Sequence, residues 1–546
     1  MMNNRSRMLW YLALPALLVV ACVLQPVQAL AQTTSLGIDC ARIQVSRLLM
    51  EDNLGAGRVL IECGIVRGGQ PSTGSGAAKL PAPPNIRVSN RACTDSGSCT
   101  KSESMVSGST KNKGKTIVVN YNDHNPAAGA FVYGGTSYSA NGGATFKEIQ
   151  PPPFATGHGD NLGDPIVVFN SKLNKWFAGD LVGAFSQSSD CTVDGGVSSE
   201  DGAGLWTSTD GIHWKVGACA HKGVSDDRES MWADNEPTSG TYGRMYISWN
   251  DFGNGGALSV THSDDGVAWS SPVILDTNFI RDVQITGSPR GAARFEGKDS
   301  TVFVAGMDEG GGGNATRQNV IYKSLDGGAT WAKIIMGPRY NAVGDAGCAT
   351  NGYFYQVNPI IRHMGWGEPA VGPKGVVHYA FAGAGTNGDH GDIFYTRSTN
   401  NGKTWSAAKK LNTDPDAQFK EQWMPSLSAT SDGKVTASWY DRRKATSACN
   451  NVGDPGCNYE RVGRQSKTNG SSWLAEITIS TAVIPQPAQL DSGVQQCYAG
   501  DYDYNTALSA ADSSGTGTAY ITWTDGRRSV GGTHVQDVDF AMVPEP

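Results

Sequence analysis

The side chains best suited to chemistry in this sequence are arginines, tyrosines and carboxylates in its final part. Arg442 and Arg527 each follow an aspartate at the end of a strand-like segment, and Asp501 and Tyr504 precede the second of these segments. Two neighbouring guanidinium groups can bind one carboxylate through forked hydrogen bonds, which lysine cannot provide. These residues therefore predict a site for a ligand that carries a carboxylate.

Both arginines also have a simpler interpretation. Asp441 directly precedes Arg442, and Asp525 lies shortly before Arg527. Each arginine can serve only to neutralise the aspartate beside it, because a buried carboxylate needs a charged or hydrogen-bonded partner. The two interpretations differ in whether the arginines touch a ligand, and the sequence leaves both open.

A repeated turn sequence indicates which elements position these residues. Each copy has a serine, then Asp or Asn, then glycine, then an aromatic residue. The copies occupy residues 139–146, 208–214, 263–269, 324–331, 398–405 and 466–473. Asp or Asn can accept backbone N–H bonds within a turn, glycine supplies positive φ, and the aromatic side chain is expected to enter the layer between strands. Recurrence about every 60 residues is typical of a repeat architecture.

The six turns resemble the Asp-box of the sialidase and bacterial neuraminidase repeat superfamily. Two copies, at Ser208 and Ser263, are one residue shorter than the S-x-D-x-G-x-T-W form, and the last copy lacks the aspartate. The resemblance covers residues from about 85 to the end of the chain. It implies an all-β fold, a β-propeller of four-stranded blades occupying residues 85–546.

Counting strands around the turns predicts seven blades, with the six blades usual for sialidases as the alternative. Acids open the first strand of six units, in the segments 103–106, 164–167, 229–232, 368–371, 421–424 and 501–504. Unit four lacks such an acid and holds Arg281 instead. The last unit lacks a fourth strand, and residues 85–88 have strand character without a unit of their own. We therefore expect these residues to close the ring, which protects the edges of an open sheet.

The strand order predicts which face carries the chemistry. In an antiparallel blade the first strand begins, and the second strand ends, at the same face. The turns between the third and fourth strands lie at the opposite face. Carboxylates should therefore gather around one end of the central channel, where we expect the ligand to bind.

The resemblance also implies roles for individual residues. A sialidase binds the substrate carboxylate with three arginines, attacks with a tyrosine that a glutamate activates, and assists the leaving group with an acid. The candidates for substrate binding are Arg281, Arg442, Arg527 and Tyr502, and the candidates for catalysis are Tyr504, Glu229, Glu421 and Asp501. The F-R-I-P motif of the family is absent, and the nearest stretch, residues 85–89, lacks its aromatic residue and its proline.

The chain gives no motif for other chemistry. It contains no H-E-x-x-H, no phosphate-binding glycine loop before Lys-Ser or Lys-Thr, and no G-x-S-x-G. We assign no metal site and expect no cofactor. A structural Ca²⁺ held by loop carboxylates and carbonyls remains an alternative.

The first 84 residues divide into three predicted segments. Residues 1–31 have the basic start, apolar run and A-x-A site of an export signal. Residues 32–67 predict a small helical hairpin tied by Cys40 and Cys63, and residues 68–84 read as a linker. We expect a secreted or periplasmic protein. A lipoprotein anchored through Cys22 is the alternative.

Composition limits the classes of partner. The net charge is −7, and it is more negative without the leader, which argues against a nucleic-acid partner. No later stretch is long and apolar enough to span a membrane. Outside the leader ten of the 11 cysteines remain, which favours a disulfide set. Close spacing suggests the pairs Cys93–Cys99 and Cys449–Cys457.

Two functional classes follow. The first is an enzyme acting on an extracellular glycan or glycoconjugate, a glycoside hydrolase of acidic sugars or a lyase. The second is a non-catalytic, secreted or cell-surface propeller that binds glycan or protein. We expect a monomer in either case, and the sequence does not decide whether it is an enzyme.

Overall fold

A computed structural model describes residues 34–69, 85–89, 91, 97, 99–149, 157–293, 301–310, 316–346, 355–358, 361–362, 366–445, 447–449 and 455–546. The predicted export signal, most of the predicted linker and Cys93 lie outside the described residues. The chain begins with two short helices, α1 (Val45–Leu48) and α2 (Leu54–Glu62), and a short strand, β1 (Ile86–Arg87).

Seven four-stranded blades form a ring, as predicted. Blades one to three are β2–β5 (Lys101–Gly108, Ile117–Asp123, Gly134–Ser139, Lys147–Glu148), β6–β9 (Asp160–Asn170, Lys175–Gly183, Asp201–Ser208, Trp214–His221) and β10–β13 (Asp226–Ala233, Met245–Asp251, Ala257–Ser263, Val273–Asp276). Blade four is β14–β17 (Ile280–Gly287, Val302–Asp308, Thr316–Ser324, Ala332–Ile335). Buried aliphatic and aromatic residues of neighbouring blades form the core between the sheets.

Four short strands follow blade four: β18 (Tyr340–Asn341), β19 (Asp345–Ala346), β20 (Tyr355–Asn358) and β21 (Ile361–Arg362). Blades five and six are β22–β25 (Glu368–Val371, Val377–Gly383, Asp392–Ser398, Lys409–Lys410) and β26–β29 (Gln422–Ala429, Val435–Asp441, Glu460–Ser466, Ile477–Thr478). The chain continues through β30 (Asp503–Tyr504), β31 (Thr506–Leu508), β32 (Thr518–Asp525), β33 (Ser529–Val530), β34 (Thr533–His534) and β35 (Asp537–Pro544).

The N-terminal part of the propeller closes the ring. Blade seven has the order β31, β32, β35 and β1 from the inside outward. Ile86 pairs with Phe540 and Arg87 with Asp539 in antiparallel register. The predicted closure is therefore confirmed, and the alternative of six blades is wrong. This pairing joins the two ends of the propeller and covers the edge of its last sheet.

The repeated turns share one hydrogen-bond pattern. In the fourth copy the Ser324 hydroxyl accepts from the Gly328 N–H at 2.8 Å, and the Asp326 carboxylate accepts from the Thr330 N–H at 2.9 Å. In the last copy the Thr468 hydroxyl takes over the acceptor role of the missing acid. Trp331 and Trp405 pack against the blade cores while staying half-exposed, so they enter the layer between strands less deeply than expected.

We expect the replacement of Trp405 by alanine to lower the free energy of unfolding by about 2 kcal/mol, less than for a fully buried tryptophan. Its turn lies at the face opposite the start of the first strands, so ligand binding there should not change. Urea unfolding measures the first effect, and the exposed Thr404→Ala is the control. A binding defect without a stability loss would contradict a structural role for the turn.

The first strands carry an unusual backbone feature near their starts. Five non-glycine residues there have positive φ, and each coincides with a shift of register between the first and second strand: Glu103, Asp164, Arg228, Asp282 and Met424. Such a conformation is costly for side chains larger than glycine and concentrates at functional sites. The prediction that unit four lacks an acid is wrong, because Asp282 occupies the equivalent position.

The N-terminal segment forms the predicted pair of helices. Asn53 caps α2 by accepting from the Ala56 N–H at 2.7 Å. The Cys40–Cys63 disulfide links the two ends of the segment, as predicted. Residues of α2 pack on the start of blade two, where Gly55 lies so close to Leu162 that a Cβ atom would clash. The segment is thus docked on the propeller.

Three disulfides join described residues. Besides Cys40–Cys63, the predicted Cys449–Cys457 pair is present, and Cys191–Cys219 is a pair that spacing did not reveal. Cys93, one member of the predicted Cys93–Cys99 pair, lies outside the described residues. Disulfides of this number fit an extracellular environment. Among the described helices none is long and apolar enough to cross a membrane.

Candidate functional site

The two ends of the central channel differ. At the face of the repeated turns the channel contains a cavity of about 210 Å³. The first strands of the blades line this cavity, and Tyr504 lies at its inner end. At the other end, where the first strands begin, charged and aromatic side chains fill the axis. We call this end the mouth. It contains five of the eight predicted site residues.

Arg228, on β10, lies at the centre of the mouth. Its guanidinium donates to the Tyr504 hydroxyl and, at 2.8 Å, to the Asp282 carboxylate. Gln284 also donates to the Tyr504 oxygen. The Asp164 carboxylate accepts from the Arg228 backbone N–H at 2.9 Å. Arg228 therefore joins blades two, three and four to the strand that precedes blade seven.

Aromatic rings enclose the same guanidinium. The Arg228 group lies 3.8 Å from the Tyr502 ring centroid and 4.0 Å from that of Trp366. The Tyr502 and Tyr504 rings stack with their centroids 4.7 Å apart. Aromatic rings beside a desolvated cation stabilise it through their electron-rich surfaces. Tyr502, predicted to contact substrate, contacts this arginine instead, and its role in binding stays a prediction.

Two further arginines lie at the mouth. Arg281 forms ion pairs of 3.6 Å with Asp52 and with Asp227, and its guanidinium is 6.0 Å from the Trp366 ring. Arg362, from the strands inserted between blades four and five, pairs with Asp501 at 2.7 Å. The mouth therefore combines arginines from three separate parts of the chain.

Glu229 has an exceptional environment among the predicted residues. Its side chain is fully buried, and neither carboxyl oxygen accepts a hydrogen bond from another described residue. Burial raises the pKa of Glu229 well above its usual value, and the neighbouring Asp164 raises it further. A raised pKa favours the protonated form of the carboxyl, which is the form that a general acid requires.

The pKa values of other acids at the mouth are raised as well. Burial raises the pKa of Asp282 to about 7, although the Arg228 guanidinium opposes this shift. Burial likewise raises the pKa of Asp501 to about 6 against the effect of Arg362. Desolvation thus outweighs ion pairing at both residues. Asp501 titrates close to neutral pH, in the range that suits acid–base chemistry.

We expect the free energy of unfolding to fall by about 2–4 kcal/mol between pH 5 and pH 8. Asp282 and Asp501 have raised pKa values of about 7 and 6 in the folded chain, whereas an unfolded aspartate has about 3.9. The folded state therefore binds more protons in this range. The stabilisation is complete below about pH 4 and is lost as the pH rises through 6 and 7.

Urea unfolding at several pH values measures this dependence. Asp282→Asn removes one of the two groups, so the slope between pH 6 and 8 should become smaller in that variant. A stability that rises steadily from pH 5 to pH 8 in the unaltered chain would contradict the expectation.

The predicted pair Arg442 and Glu421 lies in blade six. Arg442 donates to the Glu421 carboxylate through two nitrogens, at 2.8 and 2.5 Å. Asp441, the suggested partner of Arg442, is instead paired with Arg443. Among the described contacts, neither Arg442 nor Glu421 touches the mouth residues named above. The structure brings these two predicted residues to each other, and their roles in the reaction stay predictions.

Arg527 lies in blade seven, next to the ring closure. It pairs with Asp525 at 2.6 Å and with Asp539 at 3.0 Å, and it donates to the Asn85 side chain. The structure does not place Arg527 beside Arg442 in a shared carboxylate clamp among the described contacts. The simpler interpretation, neutralisation of Asp525, matches this geometry.

Sequence reasoning missed four residues of the mouth: Asp52, Arg228, Asp282 and Arg362. A signal for Arg228 was available, because it directly precedes Glu229 at the predicted start of a first strand. Asp282 directly follows Arg281, which the sequence analysis names as a candidate for substrate binding. Asp52 and Arg362 lie in segments outside the repeat, and the sequence contains no pattern that would have placed them.

Two groups of side chains among the described residues contain atoms close enough together to hold a metal ion. Carboxylate oxygens of Asp52, Asp164 and Asp227 lie within 4.8 Å of one another. The Arg281 guanidinium already faces two of these acids, so a cation would compete with it. The other group contains Cys191 and Cys219, which form a disulfide and thus offer no thiolate. A structural Ca²⁺ stays a prediction.

Comparisons with known proteins show a distant likeness in structure. No protein-family model matches the chain, and the search of curated proteins found no match. A polysaccharide lyase of family PL25, an ulvan lyase, is 10% identical over 83% of this chain and 96% of its own, with a TM-score of 0.39. The NanB sialidase of Streptococcus pneumoniae is 12% identical over 84% of this chain and 70% of its own, with a TM-score of 0.38.

The GH93 α-L-arabinofuranosidase of Fusarium graminearum shows a similar level of likeness. It is 12% identical over 57% of this chain and 92% of its own, with a TM-score of 0.33. These low identities and TM-scores assign neither a family nor an activity to the chain. The function must therefore be inferred from the residues at the mouth.

Proposed function

We propose that this protein is an exported propeller that binds an extracellular acidic glycan at the mouth. The observation that carries the proposal is the convergence of Arg228, Arg281 and Arg362. Arg228 and Arg281 both lie against Trp366, and Arg281 and Arg362 both donate to the N-terminal segment. Guanidinium groups bind carboxylates with paired hydrogen bonds, and aromatic rings beside them suit the apolar faces of sugars.

Hydrolysis of the bound glycan is the second candidate function. Asp501 has a pKa of about 6, and burial raises that of Glu229 well above its usual value. Either carboxyl is thus suited to protonate a leaving group. Tyr504 is the candidate nucleophile, and its oxygen accepts from Arg228 and Gln284. Burial raises the pKa of Tyr504 well above its usual value, and the Arg228 guanidinium and the Gln284 amide oppose this shift.

The non-catalytic alternative also has an observation in its favour. A tyrosine nucleophile needs a carboxylate that takes its proton, whereas the described hydrogen bonds to the Tyr504 oxygen come from the two donors Arg228 and Gln284. A binding protein needs no such base. We therefore place acidic-glycan binding first and hydrolysis second.

Calorimetry with 3′-sialyllactose, oligogalacturonate and uncharged lactose tests binding. We expect an acidic sugar to bind and lactose to bind at least tenfold more weakly. Arg281→Lys should weaken binding of the acidic sugar because lysine loses the forked geometry. The matched control is Arg442→Lys, which alters a buried arginine of blade six and should leave the affinity of the folded protein unchanged. Equal affinities for lactose and both acidic sugars would contradict the proposal.

A further inference from the structure

Five residues between the two N-terminal helices lie inside the mouth. We call residues 49–53 the plug. Arg281 donates to the Met50 carbonyl, and Arg362 donates to the Asp52 carbonyl at 2.6 Å. The plug thus satisfies two arginines through main-chain oxygens. Both are among the three arginines that we propose bind the acidic glycan.

Further contacts hold the plug against blade three. The Asp227 carboxylate accepts from the Asp52 N–H at 3.0 Å and from the Asn53 amide at 3.1 Å. Ser225 donates to the Glu51 carboxylate. The disulfide between Cys40 and Cys63 keeps the flanking segments together. The plug is therefore positioned by several directional contacts and by a covalent link within its own segment.

One side chain of the plug opposes its docking. The Asp52 carboxyl is buried within 4.8 Å of the carboxyls of Asp164 and Asp227, and its hydrogen-bond neighbour is the carboxyl of Asp227. Its ion pair with Arg281 is 3.6 Å long, and the guanidinium groups of Arg228 and Arg362 also attract it. Burying several carboxyls against one another is nevertheless costly. The docked plug therefore contains an unfavourable group at its centre.

We propose that the plug is a displaceable internal occupant of the mouth, which closes the ligand site until an anionic ligand or an opening event removes it. The inference rests on the proposed function, because it regulates the same site. A carbonyl is a weaker partner for a guanidinium than a carboxylate. An acidic sugar offers Arg281 and Arg362 a carboxylate in place of the two carbonyls, and at Arg281 it also replaces the 3.6 Å ion pair with Asp52. Its arrival also separates Asp52 from the acids of blades two and three.

Chemical modification of the arginines tests the plug without any sugar. Phenylglyoxal reacts with accessible guanidinium groups, and peptide mass spectrometry reports each residue separately. Two full-length variants should open the mouth: Asn53→Ala, which loses the Asp227 contact, and the pair Cys40→Ser with Cys63→Ser, which releases the segment. A third variant, Asp52→Asn, should close it further because it removes the repulsion between carboxylates.

We expect Arg281 and Arg362 to react at least tenfold faster in the opening variants than in the unaltered chain, and more slowly in Asp52→Asn. Arg42, which is 87% exposed in its side chain, is the internal standard for full reactivity. Buried Arg442 is the internal standard for a closed site. Because the variants predict changes of opposite sign, general loss of structure cannot mimic the full result. Equal rates for Arg281 and Arg362 in all variants would overturn the inference.

A second measurement separates the plug from the proposed function. Affinity for N-acetylneuraminic acid and for galacturonic acid is measured with the same proteins. Tighter binding in Asn53→Ala and weaker binding in Asp52→Asn would support both proposals. Faster reaction of both arginines with no binding of either sugar would retain the displaceable plug and overturn the acidic-glycan site.

Discussion

Replacing Arg228 with methionine is expected to lower the free energy of unfolding by about 3–5 kcal/mol, the range for removing one partner of a buried ion pair. The Asp282 carboxylate would lose its guanidinium partner, and the Tyr504 oxygen would lose a donor. Methionine has a similar length and leaves little empty volume. The loss therefore reports the charge and its hydrogen bonds more than the packing.

A double-mutant cycle distinguishes this cause from others. Arg228→Met with Asp282→Asn removes both charges, so the combined loss should be smaller than the sum of the single losses. The matched control is Arg244→Met, because Arg244 pairs with an Asp264 side chain that is 62% exposed. An exposed pair contributes about 0–1 kcal/mol. Strict additivity of the Arg228 and Asp282 effects would contradict the ion-pair explanation.

Repetition explains why the fold could be predicted. Each blade must bury both faces of its sheet, so acids, strands and turns recur in a fixed order, and seven starts with one missing strand led to the closure by residues 85–88. The unit-four acid was not predicted because Asp282 lies beside Arg281 within the first strand, at a shift of register that the sequence does not reveal. A repeated sequence therefore predicts the features that all blades share, and it does not predict the features of a single blade.

The site could be predicted only in part for the same reason. Asp501, Tyr502 and Tyr504 were identified because they interrupt the repeat, and the structure places them at the mouth. Arg362 and Asp52 contact each other across 310 residues of sequence. Their docking depends on tertiary packing of segments outside the repeat, for which spacing gives no rule. The pairing of Arg442 with Glu421 rather than Asp441 was likewise a matter of side-chain direction.

The second prediction with a large expected effect concerns the catalytic role predicted for Glu229. If the protein hydrolyses an acidic glycan, Glu229→Gln should reduce turnover by about 10²–10⁴-fold, the contribution of a positioned acid or base. The same change should not destabilise the protein. Because the Glu229 carboxyl is buried and accepts no hydrogen bond from another described residue, glutamine removes the cost of ionising it. Above neutral pH the variant should unfold at higher urea concentration than the unaltered chain.

Glu421→Gln is the matched control, since Glu421 is the alternative for the same role. Its carboxylate pairs with Arg442 at 2.5 Å, so removing the charge leaves a buried arginine without its counter-charge. We expect this variant to lose stability while the folded fraction keeps its turnover. The two substitutions are chemically identical, and their expected effects on stability and on turnover are opposite.

Turnover is measured with 4-methylumbelliferyl glycosides of N-acetylneuraminic acid and glucuronic acid, in the unaltered background and with Asn53→Ala to open the mouth. A fall in turnover for Glu229→Gln at undiminished stability assigns the carboxyl to the chemistry, because a purely structural residue would change both. Unchanged turnover in Glu229→Gln together with a loss in Glu421→Gln would move the acid–base role to blade six. Absence of turnover in every protein, with acidic sugars still bound, would leave the mouth as a binding site and make the non-catalytic propeller the correct function.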